Sequence, residues 1–173
     1  LEYYKQYHKH SSSTLGTRIF IKKIKSLLKE KDDLFFFKTL KIAFIGNFTI
    51  DPIQASMDAE CFKQGINPQI HFGGYDQYSQ EILNANSSLY QFDPAVTVLL
   101  LDSKTLAPEL FNNFFEVASA DRFILVEKKL GLVKTLCENF LKLSKSHLII
   151  SNFILSEQYH MGIYDSKIEN GQK

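Results

Sequence analysis

The sequence contains only two cysteines, Cys61 and Cys137, in 173 residues. Two are too few for a disulfide-stapled scaffold, so we expect reduced structural thiols. No apolar run approaches the roughly 18 residues of a membrane span, and Leu1–Tyr4 lacks the basic-then-apolar order of a secretory signal. The 20 basic and 19 acidic side chains nearly balance, which argues against general nucleic-acid binding. We therefore expect a cytoplasmic domain that binds neither membranes nor nucleic acids.

Recognisable catalytic and cofactor motifs are also missing. The sequence has no Walker loop, no G-x-G-x-x-G and no cysteine/histidine spacing typical of zinc. Nucleophilic catalysis needs a nucleophile, a base and a group that orients the base. The histidines are His8, His10, His71, His147 and His160. None of them forms the Asp-x-x-His pairing seen in some hydrolases. From these absent motifs we predict no catalytic residue, no metal ligand and no cofactor in this chain.

Apolar runs alternating with helical patterns dominate the chain from residue 40 onward. Continuous apolar runs fit strands buried on both faces of a parallel sheet, here at 40–45, 68–72, 95–101 and 147–151. Helical spacing and start signals predict helices at 17–31, 51–64, 76–83, 106–119 and 121–143. Residues 123–126 would also suit a strand, but helical spacing continues through them. This order predicts a three-layer α/β/α fold with four or five parallel strands in flavodoxin-like order.

The composition divides the chain into three parts. Residues 1–34 form a polar lead-in followed by a basic amphipathic helix, and residues 35–154 form the α/β domain. Residues 155–173 are polar and are typical of a linker.

Polar and glycine residues follow each predicted strand, where ligands bind in parallel α/β sheets. The candidate ligand-binding residues are Gly46, Asn47, Thr49, Gly74, Tyr75, Asp76, Asp102 and Asn152. Gly46 lets a ligand approach the backbone, and the helix after it would favour an anion. The alternative is purely structural: Thr49 or Asp51 would cap the following helix, Asp76 and Asp102 would cap theirs, and Gly73-Gly74 would form a plain turn.

Several stretches together resemble the N-terminal region of FkbH-like proteins. They are 41–49 (KIAFIGNFT), 75–78 (YDQY), 87–94 (SSLYQFDP) with the apolar strand after it, and 150–153 (ISNF). The resemblance covers about residues 35–165. The spacing from Tyr-Asp-Gln-Tyr to Asp-Pro is its most specific part.

This resemblance implies an N-terminal domain similar to the SGNH hydrolase fold, joined to a haloacid-dehalogenase (HAD) type phosphatase domain of the HAD-IIIC type. The phosphatase domain would carry an Asp-x-Asp motif and magnesium, and no Asp-x-Asp occurs here. Some members take a phosphoglyceryl group from bisphosphoglycerate, remove phosphate and load the glyceryl unit on an acyl carrier protein. Others accompany polysaccharide, polyketide or other secondary-metabolite biosynthesis. The implied partners are the C-terminal HAD-type domain and an acyl carrier protein.

The SGNH pattern begins with Gly-Asp-Ser after the first strand, and the serine is its nucleophile. Here Gly46 matches, Asn47 stands for the aspartate and Phe48 stands for the serine. Phenylalanine has no attacking group, so the first hypothesis is a non-catalytic recognition domain. The second is a stand-alone SGNH-like esterase or acyltransferase with Thr49 as a displaced nucleophile. The third is a structural docking module.

Overall fold

One parallel sheet of four strands organises the domain. The computed structural model describes residues 14–30, 38–153 and 162–167. The strands are β1 (Lys38–Gly46), β2 (Ile66–Phe72), β3 (Val96–Leu100) and β4 (His147–Ile150). Their spatial order is β2-β1-β3-β4, and every pairing is parallel. The prediction of a parallel sheet in flavodoxin-like order is therefore confirmed.

Helices connect these strands. They are α1 (Thr14–Glu30), α2 (Gln54–Lys63), α3 (Tyr78–Leu83), α4 (Ser88–Phe92), α5 (Ser103–Leu106), α6 (Glu109–Asn112) and α7 (Ser119–Leu143). A short 3-10 helix, Asp51–Ile53, leads into α2, and another spans Gly162–Lys167. None of these described helices has the length and apolar content that a membrane-spanning segment needs.

Apolar side chains pack on both faces of the sheet and make three layers. One face is covered by α3, α4, α5 and α7, whose Ile82, Leu89 and Phe140 pack with Ala43 and Ile45 of β1. The opposite face is covered by α2. The residues of that second core are Ile42, Phe44, Ile50 and Cys61, with partly buried neighbours that include Ile70, Val98 and Leu100. α1 packs on α2 through a smaller cluster of Ile21, Ala59 and Phe62.

The apolar run of β1 explains why this strand is central. Residues 42–46 are buried without interruption, since β2 and β3 flank the strand and helices cover both of its faces. The two edge strands differ. β2 contains Pro68, which has no N–H to donate to the sheet. β4 has only four residues, and Ile149 and Ile150 are about half exposed.

One predicted helix, 106–119, is wrong. Helix α5 ends at Leu106, the four-residue helix α6 follows, and the chain turns at 113–117 before α7 begins at Ser119. Pro108 lies between the two helices; proline lacks an N–H and disfavours helical backbone in the residue before it. Ala107 accordingly leaves the helical region, with φ −134° and ψ 63°. The predicted helix 121–143 is confirmed in preference to a strand at its start.

Helix α7 is longer than the sheet that it covers. Its 25 residues span about 37 Å at 1.5 Å per residue, whereas the five residues of β3 span about 16 Å. Its buried residues, Val133, Leu136 and Phe140, all lie in its second half. The chain enters α7 from the carboxyl side of β3, and the first half of the helix, residues 119–132, contributes no buried side chain. We call residues 119–132 the α7 arm.

Parts of the predicted domain division lie outside the described residues. Residues 1–13 of the predicted lead-in 1–16 and the boundary near residue 34 are among them, so only α1 of the N-terminal part is described, and it already includes residues 14–16. Within the predicted linker 155–173, the described residues are 162–167. The three-part division therefore stays a prediction.

The two neighbours Phe140 and Leu141 give a matched test of the core. Phe140 is fully buried between α7 and the sheet, whereas Leu141 is 61% exposed. We expect Phe140→Ala to lower the free energy of unfolding by about 3–5 kcal/mol, because the truncation leaves a cavity. Leu141→Ala should change it by less than about 0.5 kcal/mol. Urea unfolding monitored by circular dichroism measures both, and equal losses would contradict the packing described.

Candidate functional site

The carboxyl ends of β1 and β3 are joined by the side chain of Asn47. Its Nδ2 donates to the Asp102 carbonyl oxygen at 3.0 Å, and its Oδ1 accepts from the Asp102 backbone N–H at 2.7 Å. The Asn47 backbone N–H donates to the Leu100 carbonyl at 3.3 Å. Asn47 is only 1% exposed. Both atoms of its amide are therefore used between the strand ends, an arrangement that we call the amide clamp.

Gly46 allows the two strand ends to come this close. A Cβ atom on Gly46 would lie 2.3 Å from the Leu100 carbonyl oxygen and 2.9 Å from Cδ1 of Ile50. Because the first of these atoms belongs to the backbone, the contact would not be relieved by a side-chain rotation. The sequence predicted Gly46 as a point of ligand approach, whereas the atoms nearest to it in the structure belong to the protein itself.

The clamp lies at the topological switch point of the sheet. From β1 the chain passes to β2 on one side, whereas from β2 it crosses to β3 on the other side, so the switch point is between β1 and β3. Ligands of such sheets bind in the crevice at this point. Here the Asn47 side chain spans the crevice with its hydrogen bonds.

Asp102 has a second structural role as a helix cap. Its Oδ2 accepts from the Thr105 backbone N–H at 2.9 Å and from the Thr105 hydroxyl at 3.0 Å. This arrangement caps α5, as the structural alternative predicted. The Thr105 hydroxyl was not singled out in the sequence, although a threonine three residues after an aspartate is a local signal for it.

The other predicted caps do not form. The N-cap position of α3 is occupied by Gln77, whose side chain makes no capping hydrogen bond. Asp76 has a left-handed backbone conformation, with φ 54°. Asp76 lies in the turn, so its carboxylate is displaced from the cap position. Ile50 precedes the first 3-10 helix, again without a side-chain cap, so neither Thr49 nor Asp51 has that role.

The remaining predicted residues lie around the amide clamp and are accessible. The loop 73–77 begins beside β1, where the Gly73 N–H donates to the Phe44 carbonyl at 2.8 Å. β4 ends beside β3, where the Ser151 hydroxyl accepts from the Leu101 N–H at 3.2 Å. We define the rim as the exposed residues that follow the strands: Phe48, Thr49, Gly74, Tyr75, Asp76 and Asn152. Among the large hydrophobic side chains that the structure describes, Tyr75 is the most exposed, at 67%.

The two described histidines lie within strands and not in the loops at the carboxyl edge. His71 lies within β2, with its ring stacked on Phe92 at a centroid distance of 5.4 Å. His147 begins β4 and is therefore at the opposite edge. His8, His10 and His160 lie outside the described residues. Thr49 thus has no histidine base within the part of the chain that the structure describes.

The thiols are not activated as nucleophiles. Burial, with smaller contributions from Asp58 and Glu60, raises the pKa of the Cys61 thiol. Burial also raises the pKa of the Cys137 thiol. Since the thiolate is the reactive form, both cysteines are suited to packing in α2 and α7. Within residues 14–30, 38–153 and 162–167, no group of three or more histidine, cysteine, aspartate or glutamate side chains is arranged to hold a metal ion.

The family of the chain follows from a sequence match over most of its length. Residues 41–172 match the model described as FkbH, N-terminal domain. The chain belongs to the FkbH N-terminal domain family. The match runs from β1 through the clamp, the rim and α7 and includes most of the segment predicted as a linker.

A solved structure shares the fold of this FkbH N-terminal domain. It is described as the N-terminal part of the protein BF1531 from Bacteroides fragilis, containing a phosphatase domain, complexed with Mg. The TM-score is 0.66 at 22% sequence identity, with 88% of this chain and 38% of that chain covered. The present chain thus spans little more than a third of that structure. No curated protein matches the chain in sequence.

The motifs that carry the family resemblance have a structural role in this FkbH N-terminal domain. The Glu81 carboxylate accepts from the Ser88 hydroxyl at 2.7 Å and from the Leu89 N–H at 2.9 Å, which holds α4 against α3. Tyr90 donates to the Ile82 carbonyl at 2.7 Å. Lys41 donates to the Phe92 carbonyl at 3.0 Å and so ties this segment to β1. The segment from Tyr75 to Pro94 therefore folds as a unit on the sheet.

A concave site that the sequence did not predict lies between α1 and α2. It has a volume of about 700 Å³, and its charged lining residues are Arg18, Lys22, Lys25, Asp51 and Asp58. The buried Asp58 carboxylate accepts from Lys25 Nζ at 2.6 Å. The lining thus combines three cations with two carboxylates, and this near balance selects for neither sign of charge. The spacing of Arg18, Lys22 and Lys25 on one face of a helix was its available sequence signal.

The amide clamp gives a specific prediction for stability. Asn47→Ala leaves the Asp102 N–H and carbonyl without their partners, and we expect a loss of about 2–4 kcal/mol in the free energy of unfolding. Asn47→Asp should not restore stability, because a carboxylate has no N–H to donate to the Asp102 carbonyl. The control is Thr49→Ala at the exposed rim, with a change below about 0.5 kcal/mol. Chemical unfolding measures all three, and a neutral Asn47→Ala would show that the clamp is dispensable.

Alkaline pH should destabilise the domain. Burial raises the pKa of the Cys61 and Cys137 thiols and of the Tyr78 and Tyr90 hydroxyls, so the folded chain holds these protons more tightly than the unfolded chain. The free energy of unfolding is therefore expected to fall as the pH rises above the ordinary thiol value of 9.0 and tyrosine value of 10.0.

Urea titrations on either side of these values test the pH dependence. A double variant, Cys61→Ala and Cys137→Ala, should lose less stability over the same interval because it lacks two of the four groups. Stability that stays level or increases with pH would contradict the assignment.

Proposed function

We propose that this FkbH N-terminal domain is a non-catalytic recognition domain of a longer polypeptide that also carries a HAD-type phosphatase domain. The observation that carries the proposal is the amide clamp. At the point where α/β domains bind ligands for chemistry, the Asn47 amide is committed to the backbone of Asp102. Family membership and the phosphatase domain of the structural neighbour support the second half of the proposal.

Phe48 supports the absence of catalysis. It follows the clamp residue directly and is 39% exposed, at the position where the SGNH pattern would have a serine. Its ring offers an apolar contact but no nucleophile. The similarity to the SGNH fold contributes only this correspondence between Phe48 and the serine, and the similarity itself stays a prediction.

The rim is the surface that we propose for recognition. It combines two exposed aromatic rings, Phe48 and Tyr75, with the polar side chains of Thr49, Asp76 and Asn152. Tyrosine combines apolar contact area with a hydroxyl that hydrogen-bonds, which makes it effective in binding surfaces. Such a surface suits a flexible ligand that has an apolar chain and a polar group at its end.

The family resemblance suggests what the ligand is. We propose that the rim holds either the phosphoglyceryl donor or the prosthetic arm of an acyl carrier protein while the phosphatase domain acts. The whole polypeptide would remove phosphate and transfer the glyceryl unit from bisphosphoglycerate to the carrier protein, in polyketide or polysaccharide biosynthesis. Magnesium would belong to the phosphatase domain, in keeping with the Mg of the structural neighbour.

The experiment compares two exposed tyrosines in the full-length polypeptide. Tyr75→Ala removes the largest ring of the rim, and Tyr164→Ala removes a tyrosine of similar exposure, 61% against 67%, in the second 3-10 helix. We expect Tyr75→Ala to slow loading of the carrier protein about tenfold, the effect of losing about 1.4 kcal/mol of binding. Mass spectrometry of the carrier protein measures the rate, and Tyr164→Ala should load normally.

Two results would contradict the proposal. Unchanged loading by both Tyr75→Ala and Thr49→Ala would exclude the rim as a recognition surface and leave the structural docking module. Hydrolysis of para-nitrophenyl esters by the purified chain, abolished by Thr49→Ala, would instead establish the esterase hypothesis.

A further inference from the structure

The α7 arm carries an unusual concentration of exposed apolar side chains. Their exposed fractions run from 37% to 63%, and the residues are Phe123, Ile124, Val126, Leu130 and Leu132. Single exposed apolar residues are ordinary on protein surfaces, whereas larger groups of them are typical of interaction sites. These five lie within ten consecutive residues of one helix.

The arm is held firmly by the segment before it. The Arg122 guanidinium carbon lies 3.7 Å from the centroid of the Phe114 ring, and its Nε and Nη2 donate to the carbonyls of Val117 and Phe114, both at 3.1 Å. Lys129 pairs with Glu109 at 3.4 Å. These contacts fix one side of the arm against α6 and the following turn. The exposed apolar side chains therefore belong to a helix that is packed against its neighbours on one side.

The apolar residues are spread around the arm. At about 100° per residue, Phe123, Val126 and Leu130 lie on one flank, whereas Ile124 and Leu132 lie about 100° and 180° away from Phe123. A helix that packs against one other helix is covered along a single stripe. The arrangement instead suits a partner that covers the arm on more than one side, as a globular domain does.

The charged side chains of the arm do not indicate a charged partner. Its charged side chains are Asp121, Arg122, Glu127, Lys128 and Lys129, so neither sign dominates. Its partner must therefore be recognised mainly through apolar contact. A covalently linked partner needs only a modest interface for this, because the linkage holds it at millimolar effective concentration.

We propose that the α7 arm is the surface on which the phosphatase domain of the same polypeptide docks. This inference rests on the proposed function, which supplies that domain. It adds the position of the contact: the chain enters α7 from the carboxyl side of β3, and the rim lies on that same side of the sheet. A domain seated on the arm would therefore be on the same side of the sheet as Phe48 and Tyr75, where a ligand held by the rim could be presented to it.

Hydroxyl-radical footprinting tests the docking surface without changing the protein. Side-chain oxidation rates are measured in the full-length polypeptide and in the present chain. We expect oxidation of Phe123 and Leu130 to be at least about threefold slower in the full-length protein. Leu141 provides the control, since it lies in the same helix at 61% exposure, against 60% for Phe123, but off the arm. Its rate should be the same in both proteins.

A pair of variants adds an independent check. In the full-length protein, Phe123→Asp should return the oxidation rate of Leu130 to that of the present chain, whereas Leu141→Asp should not. Equal rates for Phe123 and Leu130 in the two unmodified proteins would overturn the proposal. Protection within the present chain that rises with its concentration, together with a dimer in light scattering, would assign the arm to a second copy and would overturn it as well.

The proposed function and the docking surface fail separately. Loading that depends on Tyr75, with an arm equally oxidised in both proteins, would retain the recognition role and reject the docking surface. An arm protected in the full-length protein, with loading that does not respond to Tyr75→Ala or Thr49→Ala, would retain the docking surface and reject the recognition role of the rim.

Discussion

The structure depends on holding the ends of β1 and β3 together. β1 is buried on both faces and flanked by strands on both sides. Its carboxyl end is therefore surrounded by other parts of the protein and stays beside the end of β3. Gly46 allows the close approach, and the two hydrogen bonds of the Asn47 side chain satisfy the backbone of Asp102. Asp102 in turn caps α5, the first helix of the connection that leads to α7. The buried side-chain amide of Asn47 thus helps to position β1, β3 and α5.

The strands and the longest helix could be predicted from the sequence because their signals are local. Continuous apolar runs identified all four strands, and helical spacing identified α7 despite the strand-like Phe123–Val126. The segment 106–119 was mispredicted because its apolar spacing outweighed Pro108, whose effect on the backbone ends a helix. The short helix α4 was missed because a residue outside it, Glu81, stabilises its first turn.

The candidate site was predicted less completely, and for a physical reason. Parallel strands bring their carboxyl ends to one edge, so the sequence indicated which residues would gather there. It did not indicate which of them would be occupied by the protein itself. Asn47 and Asp102 are 55 residues apart, and only the fold turns a candidate ligand-binding pair into a hydrogen-bonded clamp. The exposed residues of the rim depend on no such partner, so their prediction as ligand-binding residues still stands.

The two edges of the sheet have a consequence for the behaviour of concentrated solutions. β2 presents Pro68 within its length, and β4 offers only four residues to an incoming strand. Proline and short edge strands both discourage the backbone pairing by which sheets grow from one molecule to the next. The isoleucines of β4 therefore lie on a short edge strand, and each edge of the sheet has a feature that disfavours pairing with a second molecule.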